Sequence, residues 1–256
     1  MASSLPILTF HSLDDRRSVI SFAPEVFRRG MARLHERGYR TLSLLEAVDL
    51  LRQKKLIPDR SVVITFDDGY KTVYDEAFPV LQHYGMKATV FLTMGEREKV
   101  ESIGRLPSFN GRYNMLTWHE IREMQSSGID FGAHTLTHPD LTRLSFDRVE
   151  AEICDSKAIL ENMLGTPVEC FAYPYGRYDN RSREIVRQHF TCACSDKLGL
   201  LTPDSDPYAL ERVDAAYLRT DRLFDMMLTG LFPWYIWARS IPSRIRLAIQ
   251  LNSASR

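Results

Sequence analysis

Apolar runs of β type alternate with helical patterns along most of this chain, and few folds accommodate that order: strand–helix–strand units in a mainly parallel sheet. The strands read as Leu5–Phe10, Ser61–Phe66, Ala88–Thr93, Ile129–Ala133, Cys170–Tyr173 and roughly Phe190–Ala193. Helices fall between them. One starts near Pro24 and sets Phe27, Met31 and Leu34 on one face, while Ser43 with Glu46 and Thr117 with Glu120 make capping boxes for two more. Gly128 should stop the helix that Thr117 opens, and a longer helix from about Ser145 carries Val149, Ile153, Ile159, Leu160 and Leu164 before Gly165. No repeat, low-complexity tract or Pro/Ser-rich linker divides the chain. After Leu218 the alternation gives way to a stretch rich in Met, Trp and Arg, so the reading is one α/β domain over 1–218 and a helical extension over 219–256.

Composition removes several classes of function. The 256 residues hold 33 Lys+Arg against 33 Asp+Glu, with no block of five like charges, which argues against a sequence-independent grip on nucleic acid. Four cysteines, none in a Cys-x-x-Cys pair, resemble neither a disulfide framework nor a zinc knuckle and fit a reducing compartment. The opening residues MASSLPILTFHSLDD lack a basic start and a small-residue cleavage site, so no signal peptide is read. The stretch Leu223–Ala238 carries Asp225 and Pro233 and is shorter than the ~20 residues that span a bilayer. A cytoplasmic location is therefore expected. The tail would either pack on the domain or touch a membrane interface.

In parallel α/β folds the functional groups gather beyond the carboxyl ends of strands, and here those ends are unusual. The strand SVVIT runs into Phe66, Asp67, Asp68 and Gly69. Two adjacent carboxylates repel unless a cation neutralises one and leaves the other free as a base, although Asp-Asp-Gly is also good turn chemistry. The strand IDFGA ends in His134, Thr135, Leu136, Thr137 and His138, with Pro139 arguing for a loop rather than a helix. Two imidazoles and one carboxylate suit a divalent metal, zinc foremost with cobalt or nickel as alternatives, and three protein ligands leave a position for water.

Taken together, these strand ends resemble the polysaccharide deacetylases of the NodB-homology type, carbohydrate esterase family 4. Thr65-Phe66-Asp67-Asp68-Gly69 is similar to the family's first motif, His134 to His138 to its second, and Tyr173-Pro174-Tyr175-Gly176 to its third. The stretch Leu116–Leu144 also looks like the family throughout, and the resemblance runs from about Leu5 to Ala216. It implies an incomplete (β/α) barrel, TIM-barrel-like, with 1–218 as its catalytic domain. It further implies a metal on Asp68, His134 and His138, Asp67 as general base, and the backbone N–H of Tyr175 at the oxyanion. The implied reaction is removal of N-acetyl groups from amino sugars of a poly- or oligosaccharide.

Two departures from the family pattern stand out. A Leu-x-His near the carboxyl end, whose imidazole protonates the leaving amine in many relatives, is missing. A circularly permuted branch, similar to the poly-N-acetylglucosamine deacetylases, supplies that acid from the first strand, and Ile7-Leu8-Thr9-Phe10-His11 has that form, which implies His11 as general acid. The arginine that orients the base in many relatives is replaced by Ala172; Arg177 and Arg212 are candidates for its role, with a surface salt bridge the plainer reading of each. Substrate contacts are expected from Tyr70, Pro174, Arg177 and Arg212, and Tyr113, Trp118 and Tyr175 offer further aromatic faces, though Trp118 reads as core. The long stretch Met94–Met115 should wall the cleft. His35, His83 and His119 read as surface residues, His189 as the next candidate acid, and Cys192 and Cys194 as packing on one side of a strand. Two other readings remain open: a deacylase of a lipid-linked sugar at the cytoplasmic membrane face, and an inactive carbohydrate-binding homologue.

Overall fold

The computed structural model describes residues 4–95, 106 and 113–241. Seven parallel strands close into a barrel: β1 (Ile7–Phe10), β10 (Leu210–Asp214), β9 (Cys192–Leu198), β8 (Cys170–Ala172), β7 (Asp130–Ala133), β6 (Thr89–Leu92) and β5 (Ser61–Phe66), in that spatial order. Closure comes from β1, which pairs with β10 through Leu8↔Val213 and with β5 through Ile7↔Val63 to Phe10↔Phe66. The short β4 (Arg40–Thr41) flanks β5, and β2 (Ser12–Leu13) pairs with β3 (Ser21–Phe22). The expected barrel is thus present, one strand short of eight. The expected strand near Phe190–Ala193 ends short of β9, and β10 shows in the sequence only as a strand-like segment at ALERVDA, outside the six strands read. The physical reason is charge: Asp196 and Lys197 break the apolar run of β9, and Glu211 and Arg212 break that of β10.

Alternation along each strand divides the core into two. Val62, Ile64 and Phe66 of β5 face outward with Leu8 and Phe10 into the layer under the helices. Val63 faces inward with Ile7, Phe91, Cys170, Ala172, Cys192, Cys194 and Leu210. The inner residues are small on β8 and β9, and Gly132 of β7 leaves room for the Phe91 ring, which any Cβ there would strike. Leu44, Ala47 and Val48 of α2 (Leu44–Arg52) pack with this inner set. Cys192 and Cys194 share the inner face as expected, with the Cys192 and Cys170 sulfurs 3.6 Å apart.

The helices follow their sequence signals. α1 (Pro24–Glu36) buries Phe27, Met31 and Leu34, and the rings of Phe10, Phe22 and Phe66 surround Phe27 or Phe10 at centroid distances of 5.1–5.9 Å. Burial of each such ring contributes roughly 1.5–3 kcal/mol. Both capping boxes form, one at α2 and one, beyond α3 (Phe78–His83), at α4 (Trp118–Ser126). α5 (Phe146–Leu164) stops at Gly165, left-handed at φ 69°. α6 (Asn180–His189) and α7 (Asp221–Met227) complete the named helices, and 232–241 is also helical. α7 lies on α1, with the Phe224 ring over Gly30 and Asp221 paired to Arg29 and Arg33. Trp118 is core, and His35, His83, His119 and His189 are exposed. Most of the cleft wall expected from Met94–Met115 lies outside the described residues, as does 242–256. Among the described residues no helix is long and apolar enough to cross a membrane.

Candidate active site

Three strand ends supply the site, and each turns sharply. Asp68 (φ 74°), Thr135 (φ 67°), His138 (φ 58°) and Tyr175 (φ 56°) all hold left-handed backbone, which costs a non-glycine residue roughly 1–2 kcal/mol. The turns point side chains back over the barrel mouth. Local bonds hold them there: Thr135 Oγ1 accepts from the His138 N–H at 3.1 Å. Glu152 of α5, 1% exposed, accepts from the N–H groups of Leu136 and Thr137 at 2.9 Å each and from the Thr137 hydroxyl at 2.6 Å. Glu152 escaped sequence reasoning. Its signal was a carboxylate on the stripe Val149, Ile153, Ser156 and Leu160, where an apolar residue belongs.

Asp68, His134 and His138 offer ligand atoms that lie within 4.8 Å of one another. Asp68 Oδ1 is buried with no hydrogen bond of its own and sits 3.5 Å from His134 Nε2 and 3.3 Å from His138 Nε2. His134 Nδ1 lies 2.7 Å from the Ala172 carbonyl oxygen, which fixes the proton on Nδ1 and turns the bare Nε2 toward Asp68. One orphaned carboxylate oxygen and two imidazole nitrogens meeting in a buried place fit a divalent cation. At His134 burial opposes charge, but the neighbouring Asp68 and Asp67 carboxylates prevail and raise its pKa. Burial and the neighbouring His134 push His138 down to about 4.

Asp67 is held differently. Burial would raise its carboxyl, but Arg212, donating from both terminal nitrogens at 2.8 and 2.7 Å, holds it well below the usual carboxylate range. Arg212 is 4% exposed and its Nε donates to the Ser195 carbonyl at 2.9 Å. The surface salt bridge read for Arg212 is therefore corrected: the pair is buried. An inward position on β10, shared with Leu210, was the available signal. Arg177 does form a surface pair, with Asp140 at 2.8 Å. His11 follows β1 and places Nε2 4.0 Å from Asp67 Oδ2.

A cleft of about 880 Å³ opens over these groups, lined also by Tyr175, Asp196, Asp214, Tyr217 and Arg239. The Tyr175 ring is 56% exposed and meets His138 edge to face at 4.7 Å. Tyr70, at 1% exposed and packed on Tyr113, presents no open ring face to a sugar, and Pro174 is buried in the turn it starts.

Comparison with known proteins agrees with this geometry. The family model described as Polysaccharide deacetylase matches residues 54–190. YxkH of Bacillus subtilis is 34% identical over 212 residues, 82% of this chain and 71% of YxkH. The poly-beta-1,6-N-acetyl-D-glucosamine N-deacetylase of Staphylococcus epidermidis is 29% identical over 172 residues, and the match spans 63% of this chain but just over half, 57%, of that enzyme. Among solved structures, the Streptococcus pyogenes deacetylase PplD, in complex with acetate, aligns with a TM-score of 0.74 at 27% identity over 84% of this chain and 93% of PplD. IcaB from Ammonifex degensii aligns with a TM-score of 0.73 at 25% identity over 88% of this chain and 95% of IcaB. A family match over more than half the chain, joined to a relative of this similarity and coverage, decides the matter: the chain belongs to the polysaccharide deacetylase family and is a hydrolase of its deacetylase type.

Proposed function

We propose that the chain removes N-acetyl groups from amino sugars of a poly- or oligosaccharide, with a divalent metal held by Asp68, His134 and His138. The observation that carries this reading is the pairing of an ionised, clamped Asp67 with the adjacent ligand trio. A binding module has no use for a buried base beside a cation site. The names of the Staphylococcus epidermidis and Escherichia coli relatives, poly-beta-1,6-N-acetyl-D-glucosamine N-deacetylases, support an acetylated amino sugar as the substrate class.

A divalent metal, when bound, supplies a Lewis acid that polarises an amide carbonyl and lowers the pKa of water. The protein's own groups do the rest. Asp67 accepts the proton of the attacking water, and Arg212 keeps its carboxylate ionised and aimed. The Tyr175 N–H donates to the oxygen that gains charge at the former carbonyl. His11 gives a proton to the amine nitrogen as its bond to carbon breaks, since an amine is too basic to leave unprotonated.

Acetate release from a panel of acetylated saccharides, with zinc, cobalt or nickel added to metal-free protein, tests the reading. Metal-dependent release from N-acetylated amino sugars is the expected result. Full activity in chelator, with no metal by elemental analysis, would exclude it.

A further inference from the structure

The helical stretch 232–241 has two apolar faces. Phe232, Ile236 and Ser240 are buried against the barrel at a spacing of four. On the opposite side Leu231, Trp234 and Trp237 are 67%, 65% and 50% exposed, and Pro233 and Ala238 stand in solvent beside them. The outward face of a surface helix is ordinarily polar. Here the charged exposed residue of the stretch is Arg239, which lies 5.2 Å over the Tyr217 ring and lines the cleft with Tyr217 and Arg219. The two tryptophan rings meet edge to face at 5.8 Å and neither lines the cleft, so they are not a sugar platform within it. Val19, 85% exposed, adds an apolar residue at the cleft rim, where its carbonyl accepts from Arg219 at 2.8 Å.

Charge identifies what this face suits. Beyond Asp225 the sequence holds no acidic residue, while Arg239, Arg244, Arg246 and Arg256 follow. Solvent-facing tryptophans beside leucine, with positive charge and no negative, match the interfacial layer of a bilayer: indoles sit at headgroup level and arginines meet phosphates. One side of the stretch is already buried in the protein, at Phe232, Ile236 and Ser240, so it would lie on a membrane with its outer face. We propose that this face docks on the surface of an anionic phospholipid bilayer, so that the cleft, whose rim shares Arg239, opens beside the membrane. The proposal rests on the exposed apolar face and on the charge of the sequence beyond Asp225, and does not depend on what the cleft hydrolyses.

The test is sedimentation of the full chain with phosphatidylglycerol vesicles against phosphatidylcholine vesicles, at low and high salt. The chain should sediment with the anionic vesicles, less so at high salt, and its tryptophan emission should shift to the blue, a signal from Trp234 and Trp237 because Trp118 is already buried. Replacing both, Trp234→Ala with Trp237→Ala, should weaken vesicle affinity about tenfold or more, while acetate release from a short free oligosaccharide stays at the wild-type rate. Wild-type protein left in the supernatant with unshifted emission would overturn the proposal, as would equal sedimentation of the double variant. A blue shift caused by free saccharide, or by self-association, without vesicle binding would overturn it in favour of that occupant. Vesicle binding is read without substrate, so failure of the deacetylase reading would leave these outcomes unaffected.

Discussion

Arg212 and Asp67, 145 residues apart in the chain, form a buried two-pronged pair in which each side chain is 4% exposed. The pair joins β10 to the end of β5 across the barrel mouth. Its fork also fixes the carboxylate plane, which a lysine cannot do.

Arg212→Met should lower turnover by about 10–100-fold with metal content unchanged, and should destabilise the fold by about 3–5 kcal/mol by leaving a carboxylate buried alone. The acid limb of its pH–rate profile should move upward, because Asp67 loses the charge that lowers its pKa. Wild-type kcat and pH profile in a folded Arg212→Lys protein would show that the fork is not needed.

Removing ligands and removing the base should have different signatures. Asp68→Ala, His134→Ala and His138→Ala should each lose metal on dialysis, whereas Asp67→Asn should keep metal and lose about 10²–10⁴-fold in turnover. Equal metal loss in Asp67→Asn and Asp68→Ala would mean that the roles are wrongly divided.

Glu152→Gln puts an NH₂ group where a carboxylate oxygen now accepts from the loop holding His138. Metal affinity should fall about 10–100-fold, as for other residues that orient ligands, and the melting temperature should drop. Unchanged zinc affinity in a chelator competition would confine Glu152 to a folding role.

His11→Ala should retain metal and fold and lose most amide hydrolysis, with a much smaller loss on an activated ester whose leaving group needs no proton. Equal losses on both substrates would make His11 structural. Unchanged amide turnover would move the acid role elsewhere.

Acid should inactivate through the histidines rather than through Asp67. As pH falls His134, raised, takes a proton first, and His138 follows near its depressed value of about 4, while Asp67 stays ionised lower still. Zinc competes with those protons, so added zinc should move the acid limb to lower pH. An acid limb indifferent to zinc would point to a group outside the ligand set.

How much of this was legible depends on which forces act locally. Capping boxes, Gly165 and the apolar runs of β5 and β6 declare themselves within a few residues, and so did Asp67, Asp68, His134 and His138, because strand ends concentrate chemistry. Arg212 and Glu152 were harder to place. Each is a charge inside an apolar pattern, and each is explained by a partner distant in sequence: Asp67 for one, the Leu136–Thr137 backbone for the other. β10 reads only as a strand-like segment for the same reason, since an inward arginine spoils the alternation that marks a strand.

The seam of the barrel runs on both sides of β1, the first strand, which needs the fifth on one flank and the last on the other. His11 follows that first strand and Arg212 lies on the last, and the family match over 54–190 contains neither. A ribosome that has released everything up to Leu201 has made the whole ligand trio yet none of the guanidinium that grips the base. The strand that carries Arg212 is therefore the last of the barrel to be made. In a chain split before Leu210, docking of the final piece would be the event that pairs both flanks of β1 and closes the barrel.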